Sequence, residues 1–239
     1  MKKFLCLFLV FTMSVCLFAC DPTEKKEDIL TKSEGVMTWE QYDAADTDTE
    51  VVIEAYVQAK QNWWFDSEAN TGKLTFYLQD GVGGYFVYEW NCTEEQAAKL
   101  VPGTKVRVTG VKAEWDGEVE IVDASVEIIS GKYVADPIDV TSELGTEELI
   151  KYMNMLVSFK DLTVISVAYK NNEQGNDIYV NLEKDGAEYT FCVESYLTGM
   201  DTDVYKTVEA LKAGDVIDVV GFAYWYNGIN THITNVTVK

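Results

Sequence analysis

Histidine occurs once in the 239 residues, at His232. A metal centre built on several imidazoles is therefore excluded, and no metal site is expected. Basic residues are scarce: 19 Lys+Arg stand against 40 Asp+Glu, a formal net charge of −21. Phosphate binding depends on Lys and Arg releasing counterions, so nucleic acid is not an expected partner. Also missing are G-x-S-x-G, a phosphate loop, HExxH and CxxC. No catalytic residue and no cofactor are expected, and the chain does not read as an enzyme.

Long apolar runs are missing too, except at the start. Lys2 and Lys3 precede the uncharged stretch 4–19, which ends in Leu17-Phe18-Ala19-Cys20 before Asp21-Pro22 breaks the pattern. A positive start, a short apolar run and a small residue before the cut describe a secretory signal. The run is slightly short for a transmembrane helix, which needs about 20 apolar residues. Leu-Phe-Ala-Cys resembles the lipobox of bacterial lipoproteins, which implies cleavage before Cys20 and diacylation of its thiol. An ordinary signal peptide and an uncleaved anchor are the alternatives. All three place residues 21–239 outside the cytoplasm. Two buried acyl chains hold stably where one holds marginally, at about 0.8 kcal/mol per CH₂.

Cys6 and Cys16 fall in this signal, which leaves Cys92 and Cys192. Two buried thiols are the default, and a bridge between them is the alternative. Disorder is excluded, because 47% of residues are hydrophobic and 13% aromatic. Residues 20–37 are polar and aperiodic, and read as a tether to a module written twice, over 38–131 and 154–239.

In the first copy, Val51, Ile53, Ala55 and Val57 alternate as a strand does. Leu74, Phe76 and Leu78 do the same, and Asp80-Gly81 with Gly83-Gly84 punctuates a hairpin into a third strand, 85–90. Thr93 and Gln96 have capping-box spacing, and the helix they open stops before Pro102-Gly103. Strands at 105–110 and 118–122 follow. The second copy repeats this order, with its helix over 201–212. Leu100, Gly103, Val106, Val108, Gly110 and Gly117 match Leu211, Gly214, Ile217, Val219, Gly221 and Gly228 at one constant offset. Between the copies, 132–153 is a linker with a short helix candidate, Thr146 to Lys151.

The shared order β-β-β-α-β-β is that of the five-stranded OB-fold barrel, so a mainly β chain of two tandem OB-folds is expected. The segments Leu100–Gly110 and Leu211–Gly221 resemble the helix-to-strand-four passage of extracytoplasmic OB modules, and the whole resembles tandem OB-fold lipoproteins of gut-type bacteria. That resemblance implies a fold and a location, not an activity.

Candidate binding residues are aromatic. Trp63, Trp64 and Phe65 follow strand one, Trp90 ends strand three, and Trp115 lies at the four–five turn, with Trp225 and Tyr226 at the matching turn of the second copy. OB-folds contact oligonucleotides and oligosaccharides through these loops, and aromatic faces stack on rings. The competing reading is that these rings plug barrel ends or join the copies. His232 lies in an alternating stretch and reads as a surface strand residue. Asp43, Asp46 and Asp48 lack the glycine and terminal glutamate of a calcium loop, and read as a solvated loop.

The expected protein is a lipid-anchored, non-catalytic binding lipoprotein of the bacterial envelope, with an oligosaccharide or an envelope protein as partner. A scaffold or protein-interaction lipoprotein is the alternative. Single-stranded nucleic-acid binding is a second one, which needs a basic strip that these acidic loops do not display.

Overall fold

The computed structural model describes residues 29–239. The signal segment, Cys20 and the start of the tether lie outside the described residues. Helix α1 (Trp39–Asp43) leads into strands β1 (Glu50–Lys60), β2 (Trp64–Asp66), β3 (Thr71–Gln79) and β4 (Gly84–Asn91). Helix α2 (Glu94–Lys99), β5 (Thr104–Trp115) and β6 (Glu118–Lys132) complete the first module. The capping box is present: Gln96 N–H donates to Thr93 Oγ1 at 3.2 Å, and Thr93 N–H to Gln96 Oε1 at 2.8 Å.

Antiparallel pairs β1–β3, β3–β4, β1–β5 and β5–β6 and a parallel bridge, Val87↔Ile121, close β1-β3-β4-β6-β5 into a ring. This is the expected order of five strands. The short β2 extends the sheet to six by pairing with β3.

The linker enters the second module through β7 (Ile138–Asp139) and two 3₁₀ turns. The candidate helix is the second of these turns, Glu147–Tyr152, with no side-chain cap to hold an α-turn. Strands β8 (Leu156–Tyr169), β9 (Ile178–Lys184) and β10 (Ala187–Val193) follow, then helices α3 (Ser195–Thr198) and α4 (Asp203–Ala210), β11 (Val216–Phe222) and β12 (His232–Val238). Their ring closes through the equivalent parallel bridge, Cys192↔His232. The two cysteines are free and buried.

Alternation along the strands fills each ring with its own core. Val51, Phe76, Leu78, Tyr85, Val108 and Ile121 are fully buried in the first, and Val157, Phe159, Val180, Phe191, Val219 and Ile233 in the second. Helix α1 closes one end of the first ring, where Tyr42 meets Tyr85 edge-on at 4.9 Å. The described end of the tether also packs there, as Lys32 Nζ reaches the buried Asp80 carboxylate at 2.6 Å.

A third apolar cluster joins the modules. Tyr77 and Phe86 of the first pack on Phe222 of the second, with Tyr77 stacked on Phe222 at 4.2 Å and 6°. Each ring removed from water in this way contributes about 1.5–3 kcal/mol. Backbone and side-chain bonds surround the cluster: Asn62 N–H to Tyr196 O, Asn227 N–H to Asp116 O, and Trp225 N–H to Glu118 Oε2, each 2.8 Å. Asn154, at the start of the second module, bonds both modules, donating through Nδ2 to Val119 O and through its N–H to Ala223 O.

Candidate ligand groove

Two clefts meet at the module junction. One, of about 390 Å³, is lined by Tyr88, Trp115, Tyr179, Tyr224, Tyr226 and His232, together with Lys170, Asp177 and Glu194. The other, of about 450 Å³, is lined by Gln61, Asn62, Trp64, Thr75, Tyr88, Glu89, Glu194 and Tyr196. Tyr88 and Glu194 belong to both, so the clefts form one groove with a shared centre.

The walls come from strand ends and loops of both modules. Trp64 stands 41% exposed beyond β1, with the Lys73 ammonium 5.3 Å from its ring. Trp115 is 52% exposed at the end of β5 and stacks on Tyr226 at 5.3 Å and 29°. Tyr88 lies on β4, just after the buried bridge residue Val87, so strand alternation turns its ring outward. Tyr224 lies in the loop after β11, stacked on His232 at 4.2 Å.

Of the expected aromatic residues, the structure brings Trp64, Trp115 and Tyr226 together in this groove. Trp90 is not there: it is buried in the first core, edge-on to Phe76. Trp63 packs against that core, and its Nε1 donates to Cys92 O at 3.0 Å. Trp225 packs against the second core. These three rings pack in or against the cores and do not line the groove. Among the groove residues that the sequence did not single out are Tyr88, Tyr179, Glu194, Tyr196 and Tyr224.

His232 corrects an expectation. It is 8% exposed, with Nδ1 at 2.7 Å from the Tyr77 hydroxyl of the other module. Its alternation did mark an outward position, since the adjacent Ile233 fills the core. The first module covers that outward face. Burial holds the imidazole down to about 4, so it is neutral at ordinary pH.

The carboxylates differ in their partners. Asp177 accepts from Ser195 N–H and Oγ and pairs with Lys170 at 3.1 Å. Burial alone would raise it, but these bonds win and hold it low. Glu89 pairs with Lys73 at 2.7 Å. Glu194 accepts from Gln61 Nε2 at 2.7 Å and lies 3.7 Å from the neutral His232. Burial pushes it up to about 7. Behind the groove, burial raises Glu118 to about 8 and Glu120 to about 7.

No family model matches the chain, and no curated protein does. Solved structures do. The tetrameric p202 HIN2 structure matches at 14% identity and TM-score 0.37, over 81% of this chain and 96% of that one. A murine DNA binding protein bound with dsDNA matches at 10% identity and TM-score 0.37, over 79% and 94%. A replication protein A heterotrimer bound to ssDNA matches at 11% identity and TM-score 0.36, over 82% and 51%. What is shared is an OB-like fold. Identities this low bear on fold alone. Charge set nucleic acid aside as a partner, but the neighbours found for this fold include proteins bound to double- and single-stranded DNA, and that expectation is not carried further.

The OB-type loops explain the groove. In each module the one–two and four–five loops open on the same side, and docking turns those sides toward each other. No group of three or more His, Cys, Asp or Glu side chains with metal-binding geometry occurs among the described residues.

Proposed function

We propose that the chain is a non-catalytic binding protein that takes a strand of linked rings into the inter-module groove. The observation that carries this reading is the set of half-exposed rings, Trp64, Tyr88, Trp115, Tyr196 and Tyr226, along one groove across the junction. Rings left 41–59% exposed in an otherwise well-packed molecule are ready for stacking.

Single-stranded nucleic acid is the first form of this reading. Bases stack on aromatic side chains for about 1–3 kcal/mol each, without regard to sequence. Lys73 and Lys170 are the nearby cations, and both are engaged by carboxylates. Affinity must then come from stacking, with a salt slope well below about 0.7 per phosphate contacted. An oligosaccharide is the second form, favoured by Gln61, Asn62, Glu194 and Asn230, whose polar atoms suit hydroxyl groups.

Tryptophan fluorescence of the full chain, titrated with homopolymeric single-stranded oligonucleotides and with neutral polysaccharides at two salt concentrations, tests both. Quenching by one class that is lost in Trp64→Ala and Trp115→Ala supports the groove and names the form. No response from any polymer counts against it.

We also infer that the chain works outside a bacterial membrane, tethered through acylated Cys20 as the lipobox-like Leu17–Cys20 implies. The lipid mass increment and the membrane fraction should both vanish in Cys20→Ser. An unchanged membrane fraction would sink the anchor.

A further inference from the structure

We infer that the centre of the groove, at Glu194 between the rings of Tyr88, Tyr196 and Tyr224, is a subsite for an organic ammonium group. The inference rests on the reading of the groove as a ligand site and adds a chemical class to it.

Charge accounting leads there. Two of the three groove carboxylates already have a lysine, since Glu89 pairs with Lys73 and Asp177 with Lys170. Glu194 has none. One of its oxygens accepts from Gln61, and Oε1 makes no hydrogen bond among the described residues. Its neighbour His232 cannot serve as the cation, because its Nδ1 is held by Tyr77 and burial keeps the ring neutral. Glu194 is therefore the one groove carboxylate without an ion pair to a lysine, with Lys170 acting on it only at longer range, and it stands where the two clefts join.

The walls suit an alkylated cation better than a metal ion. Aromatic faces attract ammonium groups through the ring quadrupole, and cages of such rings are a known way to hold quaternary ammonium. Tyr88 is 42% and Tyr196 59% exposed, so their rings are not fully used by the fold. A hard divalent ion prefers six or more oxygen ligands, and one carboxylate oxygen does not offer that. The net charge of −21 adds a long-range attraction for any cation. An amino sugar, a polyamine and a choline-type headgroup share the required chemistry.

The site has a pH signature. Glu194, raised to about 7, is neutral on the acid side and becomes a carboxylate on the alkaline side. Cation affinity should therefore rise with pH through that value. His232, Asp177 and Lys170 keep their charge states across this window. Cys192, Tyr77 and Tyr224 are pushed up by burial and stay neutral. Glu118 and Glu120 behind the groove do titrate in it, so a variant at Glu194 must separate the contributions.

The full chain is titrated with choline beside its uncharged carbon isostere, and with glucosamine beside glucose, with aromatic fluorescence read at about pH 6 and about pH 8. Each cation should bind at least about tenfold more tightly than its neutral counterpart. The preference for choline, whose charge is permanent, should grow with pH in the wild type and stay flat in Glu194→Gln, whose melting temperature checks its fold. Equal binding of a cation and its isostere, or wild-type cation affinity in Glu194→Gln, overturns the subsite. So does silence toward every cation. If strands of linked rings still quench the fluorescence, only the subsite falls; if nothing does, the groove falls with it.

Discussion

The two modules share a barrel and differ in the hairpin between its last two strands. In the first, β5 runs to Trp115 and turns through Asp116 (φ 49°) and Gly117 (φ 96°) directly into β6, with Trp115 paired to Glu118. Two residues with positive φ, in the order Asp-Gly, make the tight turn that matches strand twist. In the second, β11 stops at Phe222 and β12 starts at His232. The nine residues between carry Tyr224, Trp225, Tyr226 and Asn230 in a loop with one isolated bridge, Trp225↔Ile229. The stiff arm and the irregular loop meet. Trp115 and Tyr226 occupy matching positions of the repeat and stack on each other, and the matching Asp116 and Asn227 share a backbone bond of 2.8 Å. The two strand rings thus share their strand order, and their unlike hairpins both contribute to the wall of one groove.

The largest way to break this arrangement is Phe222→Ala. Phe222 is 2% exposed and stacked on Tyr77 across the junction. Its loss should cost about 3–5 kcal/mol and split a single thermal transition in calorimetry into two. Val111, at the matching position of the first module, is only partly buried; Val111→Ala should cost under about 2 kcal/mol and leave one transition. Next comes Gly84→Ala. A Cβ at Gly84 would lie 2.4 Å from the Asn154 carbonyl carbon, so overpacking should cost about 1–3 kcal/mol in denaturant unfolding. Ala187 begins the equivalent strand, is exposed and already carries a methyl group, so Ala187→Ser should change stability by less than about 0.5 kcal/mol.

The junction also titrates. Glu118 and Glu120 of the first module are raised to about 8 and about 7, and Glu194 of the second to about 7, all first by burial. Above the ordinary value of 4.5 and below these raised values, the folded protein keeps protons that the unfolded chain releases. Stability must therefore fall as pH rises through this window, by about 1 kcal/mol per pH unit for each group while it is protonated only in the folded state. The melting temperature should drop between about pH 5 and about pH 8.5. Glu118→Gln should flatten part of that drop, and a temperature that climbs over the window would refute the buried-carboxyl account. Glu54 and Asp177, both held low, act in the opposite sense on the acid side, and His232, held down to about 4, opposes part of the drop below its ordinary value of 6.5, so the fall is steepest above that.

Much of the barrel was legible, because its instructions are local. Gly103 and Gly214 both take positive φ. Gly110 and Gly221 both lie against a neighbouring strand where a Cβ would approach within 3 Å. Thr93 and Gln96 cap a helix as their spacing requires. The groove was half legible. Trp64, Trp115 and Tyr226 stood out because loop aromatics are conspicuous. Tyr88 and Glu194 did not, since period-two alternation says which residues face outward and not what lies opposite. The same limit misplaced His232, whose outward face is covered by another module. Trp90 reads like Trp64 in sequence, and only packing separates a core ring from a wall ring.

A small effect on stability, and the sharpest test of the comparison, belongs to Trp115→Ala. The ring is 52% exposed and its one aromatic partner is Tyr226. A stacked pair adds about 0.5–1.5 kcal/mol beyond its buried area, so the variant should lose about 1 kcal/mol and keep its fold. Tyr226→Ala should lose a similar amount, because it removes the same contact from the other copy. The double variant should cost less than the sum of the two single losses, since the contact can be lost only once. Additive losses would mean that the two rings serve their own modules and that the repeat does not pair its matching turns. A sub-additive pair that also loses ligand-dependent quenching would tie the meeting of the two hairpins to what the groove holds.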